Sequence, residues 1–225
     1  MKKFKVLNLY ACLGGNRYKW DEVAEEAEID MHVTAVELDQ ELAKLYQERF
    51  PNDVVVVADA HQYLLDHYQE FDFIWTSPPC PTHSRARYWG FGANGKMPIY
   101  PDMKLYEEII FLEHHFNGQF VVENVIPYYE PMLNPAKRGR HLYWANFQLP
   151  NIISARSHKL KEEFTNSESL DHFNSYHDYD FRKYNGEQRV LKIARNLVDY
   201  EAGRTIFETA LGIIHKKDVT QTELF

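Results

Sequence analysis

Apolar residues in the first half of the chain follow two alternating rhythms. Short runs at 4–10, 33–38, 54–57, 71–76 and 120–123 are dense in Val, Ile, Leu and aromatic residues and predict strands. Between them, 19–29, 40–49, 61–67 and 102–116 carry apolar residues at helical spacing, with Pro51 stopping the second helix and Pro101 starting the fourth. Strands separated by helices predict an α/β fold, a mostly parallel sheet with helices on both faces. In such sheets the site lies at the carboxyl ends of the strands. Residues 90–101 read as loop. The stretch 146–187, rich in His, Asn, Ser, Asp and Tyr, shows no clear period and reads as an irregular insert. Residues 189–214 read as a closing strand or turn, then a helix over 202–214.

Composition narrows the class. The 225 residues fit one domain, with or without a small appendage. With 44% hydrophobic and 15% aromatic residues, a packed core is expected and disorder is excluded. The longest apolar runs, such as VVVVA at 54–58, fall far short of the ~20 residues of a membrane helix. The start MKKFKVLNLYACLGG is basic and then apolar, as a signal peptide is, but its apolar part has strand length and stops at a Gly pair, which predicts a first strand. Two cysteines, Cys12 and Cys80, make neither a disulfide scaffold nor a four-ligand zinc site, so a reducing cytoplasm and no metal are expected. The net charge of −8 argues against a general nucleic-acid binder, yet its distribution is uneven. Residues 20–72 carry fifteen acids against Lys44 and Arg49, whereas 131–161 carry six bases and no acid. A phosphate-binding face needs only such a local excess.

Candidate chemistry collects at the predicted strand ends. NLYACLGGN at 8–16 is a strand, a glycine turn and a helix start. It suits close approach of backbone to a ligand, and equally a tight turn without one. It lacks the three-glycine dinucleotide fingerprint, because Cys12 stands where the first glycine would be. Glu37 and Asp39 follow the second strand, where a carboxylate suits ribose hydroxyls or caps a helix. Asp59 suits an adenine amino group or another cap. SPPCPTHS at 77–84 holds Cys80 between prolines, a rigid presentation that suits a nucleophile aimed into a cleft more than an inert core thiol. Glu123 ends an apolar strand, as a proton donor or as a cap or surface turn. Arg138 and Arg140 in KRGRHLYW, read as one strand, point the same way, to hold phosphate or a base carbonyl or to guard a solvated edge. His172 and His177 match no metal spacing and read as solvated loop; His114 and His115 are similarly unremarkable.

In their order and spacing, these segments resemble the cytosine-5 DNA methyltransferases over residues 4–144 and again over about 189–214. Tyr10-Ala11-Cys12-Leu13-Gly14-Gly15 looks like the family's cofactor loop. Ser77-Pro78-Pro79-Cys80 looks like its catalytic Pro-Cys motif, Glu123-Asn124-Val125 like its Glu-Asn-Val motif, and Arg138-Gly139-Arg140 like its Arg-x-Arg. Arg195-Asn196-Leu197-Val198 resembles the final motif, which returns to the cofactor pocket. The chain departs from the pattern at Asn8, Cys12, the Pro81-Thr82 pair and Ala136. The 54 residues 141–194 separate the Arg motif from the last one, a short stretch for target recognition.

The resemblance implies a Rossmann-like, S-adenosylmethionine-dependent fold. It implies a catalytic domain at 1–145, a short recognition-like insert at 146–188 and a C-terminal segment at 189–225. Catalysis falls to Cys80, Glu123, Arg138 and Arg140. The cofactor falls to Tyr10, Ala11, Cys12, Gly14, Gly15, Glu37, Leu38, Asp59, Ala60, Pro78, Asn196 and Val198. DNA with a flipped cytosine falls to Ser84, Arg85, Arg87, Lys96 and Asn124, with the 81–105 loop closing over it on Gly90, Gly92 and Gly95. Small stand-alone members of this kind occur in phages and prophages and in restriction-modification settings. Three other classes stay open on the residues: an exocyclic-amine DNA methyltransferase, whose Pro-Pro-aromatic motif lies one residue from TSPPC, an RNA or nucleotide methyltransferase, and an inactive DNA-binding homologue.

Overall fold

A computed structural model describes residues 2–85, 99–154 and 165–213. The apolar runs become β1 (Lys2–Leu9), β2 (Ile29–Val36), β3 (Val54–Val56), β4 (Phe73–Thr76) and β5 (Gln119–Val125), followed by β6 (Ala136–Arg138) and β7 (His141–Ala145). They form one sheet in the order β3-β2-β1-β4-β5-β7-β6. β2 with β3, β1 with β4 and β4 with β5 pair in parallel, and β7 runs antiparallel to β5 and β6. The expected α/β class with a mostly parallel, Rossmann-like sheet is borne out. Strand order reverses between β1 and β4, the switch point where open sheets of this kind bind ligands. Leu9 pairs with Thr76 and Thr76 with Val122, so β1 and β4 end level while β5 runs on through Glu123, Asn124 and Val125.

α2 (Gln40–Arg49), α3 (Ala60–His67) and α4 (Lys104–His115) connect the strands. Asp39 and Asp59 cap the first two, which fixes where each strand-to-helix turn ends. Alternate residues Leu7, Leu9, Ile74, Phe120, Val122, Leu142 and Trp144 present one sheet face, and Leu64 of α3 with Leu105, Ile109 and Leu112 of α4 join them in a single buried cluster. Each such large side chain contributes about 1.5–3 kcal/mol on burial.

The chain divides into two compact units. One comprises 4–13 and 32–147 and holds nearly all of the sheet with α2, α3 and α4. The other comprises 1–3, 14–31 and 148–225. It holds α1 (Trp20–Glu26), α5 (Asn166–His177), α6 (Val190–Asn196) and α7 (Tyr200–Ala210). Within it Trp20 donates its indole N–H to the Gly203 carbonyl at 3.1 Å and stacks near Phe207 at 5.0 Å.

Three expectations need correction. The helix expected over 19–29 is a short 3-10 turn at Asn16–Lys19 followed by α1, and Glu28 at φ 53 breaks it before β2. The insert expected to be irregular contains α5, whose capping box pairs Thr165 with Glu168 and whose buried Ser169, Phe173, Tyr176 and His177 share one face. His177 is thus buried in a helix, where solvated loop was expected. The stretch before the last helix is helical too: α6 replaces the expected strand or turn, and α7 starts at its Asp199 cap and gives way at Leu211 and Gly212.

Candidate active site

The loop after β1 folds onto the end of β2. Ala11 donates its N–H to the Val36 carbonyl at 3.0 Å, and Cys12 donates its N–H to Glu37 Oε2 at 2.8 Å. Glu37 Oε1 accepts the Asp39 N–H at 2.9 Å. One carboxylate therefore ties the glycine loop to the start of α2. Burial pushes the Glu37 carboxyl up, and the backbone N–H groups it accepts oppose that rise. Tyr10 and Cys12 both take positive φ, 55° and 48°, a shape the two ties hold in place. Burial, and then the neighbouring Glu37, push the Cys12 thiol up, so it stays protonated. Arg49 caps the loop from behind, donating to the Leu13 carbonyl at 3.0 Å. Leu38, beside Glu37, is 68% exposed. Asp39 accepts the Glu41 and Leu42 N–H groups, and Asp59 accepts that of Gln62 at 2.9 Å, so both serve as caps. Ala60, next in chain, is buried.

Cys80 lies half-buried four residues beyond β4. Its carbonyl accepts the N–H groups of His83 and Ser84, both at 3.0 Å, which closes a turn directly after the thiol. The loop is then stitched to the segment after β5. Ser84 bridges Pro127, the His83 carbonyl accepts the Tyr128 N–H at 3.0 Å, and Arg85 donates Nε to the Pro127 carbonyl at 2.9 Å. His83 Nδ1 lies 2.6 Å from the Tyr129 hydroxyl, and burial lowers the pKa of that imidazole. Before the thiol, Asn124 Nδ2 donates to the carbonyl of buried Pro78 at 2.9 Å, while Asn124 Oδ1 accepts the Val125 N–H. Asn124 was expected at the DNA. It is 1% exposed, and its bonds to Pro78 and Val125 brace the cysteine loop.

Glu123 ends in a buried position with its carboxylate 3.6 Å from His141 Nε2 on β7. Arg138 and Arg140 do not alternate on one strand. Arg138 closes β6 opposite His141, and Gly139-Arg140 is the two-residue turn of a hairpin. Gly139 takes φ +58 there while Arg140 does not, the pattern of a turn with glycine at its first central position. Glu123 pairs in register with Tyr143, and the imidazole that reaches its carboxylate is that of His141, the register partner of Val125 and a residue the sequence offered only as part of KRGRHLYW.

Glu108 stands outside every motif the sequence offered. It is fully buried on α4 and accepts the hydroxyls of Tyr10 at 2.5 Å and Thr76 at 2.6 Å, with His61 Nδ1 at 3.0 Å. Its signal was present: an acid three residues after Leu105 and four before Leu112, inside the apolar stripe of its helix.

Gly14, Gly15, Asn196 and Val198 lie in the other unit. A Cβ on Gly15 would stand 2.2 Å from the Val198 carbonyl oxygen and 2.6 Å from Leu197 Cγ, so only glycine allows the glycine loop and the last motif to touch. Arg87 and Lys96, and with them the glycines of the expected closing loop, lie outside the described residues. Among the described residues no cluster of His, Cys, Asp and Glu could hold a metal ion, and no helix is long and apolar enough to cross a membrane.

Residues 4–127, more than half of the chain, match the family model described as C-5 cytosine-specific DNA methylase. No curated protein matches. Among solved structures, an Entamoeba histolytica methyltransferase, EhMeth, is similar over 96% of this chain and 100% of its own, at 10% identity and a TM-score of 0.54, which shows the shared fold. A mutant DNMT2 of Spodoptera frugiperda is similar at 24% identity and a TM-score of 0.36, over 54% of this chain. The match spans about a third of that DNMT2 chain, 35%. A TehB-like SAM-dependent methyltransferase of Corynebacterium glutamicum is similar at 16% identity over 56% of each chain, with a TM-score of 0.33.

Proposed function

This chain belongs to the C-5 cytosine-specific DNA methylases, a family of S-adenosylmethionine-dependent methyltransferases, and from that we propose that it methylates carbon 5 of a flipped cytosine in DNA through a covalent bond from Cys80. The observation that carries the reading is the tie between Pro78 and Asn124, 2.9 Å, which joins the cysteine loop to the strand end bearing Glu123. A thiol and an acid are thereby coupled at the carboxyl ends of adjacent parallel strands, beside the switch point.

The donor set fits S-adenosylmethionine. Glu37 uses each oxygen once on a backbone N–H and keeps further acceptor capacity for ribose hydroxyls. Exposed Leu38 offers an apolar surface to the adenine, and Asp59, a cap through Oδ1, offers Oδ2, 3.9 Å from Lys104 Nζ, to the adenine amino group. In the other unit Gly14 and Gly15 bring no side chains to the loop, and Asn196 and Val198 belong to the final motif. When bound, the donor supplies an electrophilic methyl group.

Carbon 5 of cytosine is a poor nucleophile. The Cys80 thiolate adds to carbon 6, and the C5–C6 π pair becomes available at carbon 5, which takes the methyl. Glu123 hydrogen-bonds N3 and the exocyclic amine, drawing electrons from carbon 6 as sulfur approaches. Loss of the carbon-5 proton to solvent then returns the pair to C5–C6 and expels the Cys80 thiolate. Arg138 and Arg140, at the hairpin end, serve the phosphates or the base carbonyl, and Ser84 and Arg85 the DNA beside the flipped base.

The test is incubation with labelled S-adenosylmethionine and duplex DNA containing 5-fluorocytosine. Fluorine at carbon 5 blocks the final elimination, so a labelled, denaturant-stable protein–DNA adduct is expected, absent in Cys80→Ala. Label transferred to DNA equally by both proteins, without an adduct, would move the chemistry to an exocyclic amine. No transfer at all would favour RNA, nucleotides or binding alone.

A further inference from the structure

Glu108 projects from the same face of α4 that carries Leu105, Ile109 and Leu112 into the core, and it is fully buried. A carboxylate in such a place loses its hydration at a heavy cost unless it is hydrogen-bonded and compensated. Three donors reach it from three separate elements. The Tyr10 hydroxyl, just past β1, donates to Oε1 at 2.5 Å. The Thr76 hydroxyl, at the end of β4, donates to Oε2 at 2.6 Å. His61 Nδ1, in the first turn of α3, stands 3.0 Å from Oε1, and that hydrogen bond raises the pKa of the imidazole. Glu107, Lys104 and Asp59 surround the outer edge, with Glu107 3.7 Å from His61 Nε2 and Lys104 3.9 Å from Asp59.

A buried carboxylate of this kind is weak evidence for stability, since apolar residues of the same volume often serve a core as well. Apolar residues cannot, however, fix three turns to one point by directed bonds. The three partners sit where the candidate site is assembled: Tyr10 opens the glycine loop, His61 follows Asp59 and Ala60, and Thr76 precedes Ser77-Pro78-Pro79-Cys80. Tyr10 has the greatest need of an anchor. Its φ of 55° is a sparsely populated conformation for a bulky residue, one that persists only when its surroundings over-determine it. Burial, and then Glu108, hold its phenol well above the usual range, so it remains a donor.

We propose that Glu108 is a positioning residue of the methyl-donor site: by anchoring the Tyr10 hydroxyl it holds the 10–13 loop in the backbone shape that receives S-adenosylmethionine. This rests on the functional reading above. Glu108 acts through Tyr10 and does not touch the donor.

The test uses the full chain and two readouts, calorimetric titration with S-adenosylmethionine and the donor KM against kcat on duplex DNA. Glu108→Gln turns an acceptor toward two hydroxyl donors into an amide and is expected to raise donor Kd and KM about tenfold, with the KM for DNA and kcat at saturating donor within about threefold. Tyr10→Phe removes a single oxygen, does not depend on how the Glu108 variant folds, and is expected to raise Kd by a similar factor. The double variant should be no weaker than the weaker single. A purely structural carboxylate would lower the melting temperature and leave the Kd of the folded fraction unchanged. That result, or losses that simply add in the double variant, overturns the proposal. If the unaltered chain binds the donor yet methylates no DNA, the functional reading fails while the Kd comparison still judges Glu108. If the unaltered chain binds no donor, both fail together.

Discussion

Asn124 Nδ2 donates to the carbonyl oxygen of Pro78 over 2.9 Å, with Asn124 1% exposed and Pro78 two residues before Cys80. Cutting that bond leaves a buried carbonyl without its partner, a loss of about 1–3 kcal/mol. Asn124→Ala is therefore expected to slow methyl transfer by roughly ten- to a hundredfold while donor affinity changes by less than about threefold. Rates under saturating donor and calorimetric titration check it. Wild-type rates in the variant would show that the cysteine loop holds its shape without the brace.

Gly15 leaves no room for a Cβ beside the Val198 carbonyl. Because the obstacle is backbone, relief requires the loop or the last motif to shift. Gly15→Ala should cost about 1–3 kcal/mol and lower the melting temperature by about 2–12 °C. Thermal unfolding followed by circular dichroism measures this, and a melting temperature within a degree of wild type would sink the prediction.

The pH dependence of stability carries a signature of His61. Its folded pKa is raised, first by the hydrogen bond to Glu108, from an ordinary value of 6.5. The folded state thus binds more protons than the unfolded one above that value. The contribution is fully present below about pH 6.5 and is lost as pH rises through the folded pKa. His83, whose pKa burial lowers, acts oppositely, its contribution being lost as pH falls below 6.5. The informative quantity is the difference between proteins: denaturant unfolding of His61→Gln should lack the alkaline decline seen in the unaltered chain. An identical decline in both would assign it elsewhere.

The two cysteines should differ in chemistry. Burial beside Glu37 keeps the Cys12 thiol protonated, so alkylation at neutral pH should spare it in the folded protein and reach it after unfolding. Cys12→Ser should leave methyl transfer within about threefold, whereas Cys80→Ala should abolish it. Mass mapping of alkylated peptides reads the first expectation, and rapid labelling of native Cys12 would falsify it.

Legibility followed the range of the interaction. α2 coincides with the expected 40–49 because both of its ends are local: Asp39 caps it and Pro51 forbids more. α5 was equally local, announced by Thr165 and Glu168 at capping-box spacing, but its polar face hid the period that Ser169, Phe173, Tyr176 and His177 form. For Arg138 and Arg140, spacing by two suits a strand and a hairpin turn alike, and the positive φ of Gly139 decides for the turn.

By itself the sequence determined the alternation of strands and helices, the capped ends of α2 and α3, and the presence of a thiol and an acid after apolar strands. These depend on side-chain period and on hydrogen bonds within a few residues. The tertiary structure decided which distant groups meet: Glu37 with the Cys12 N–H, Asn124 with Pro78, His141 with Glu123, and Glu108 with Tyr10, Thr76 and His61. Such pairings are set by sheet order and strand register, and no local pattern encodes the distance between a residue on α4 and one just past β1, 98 positions apart.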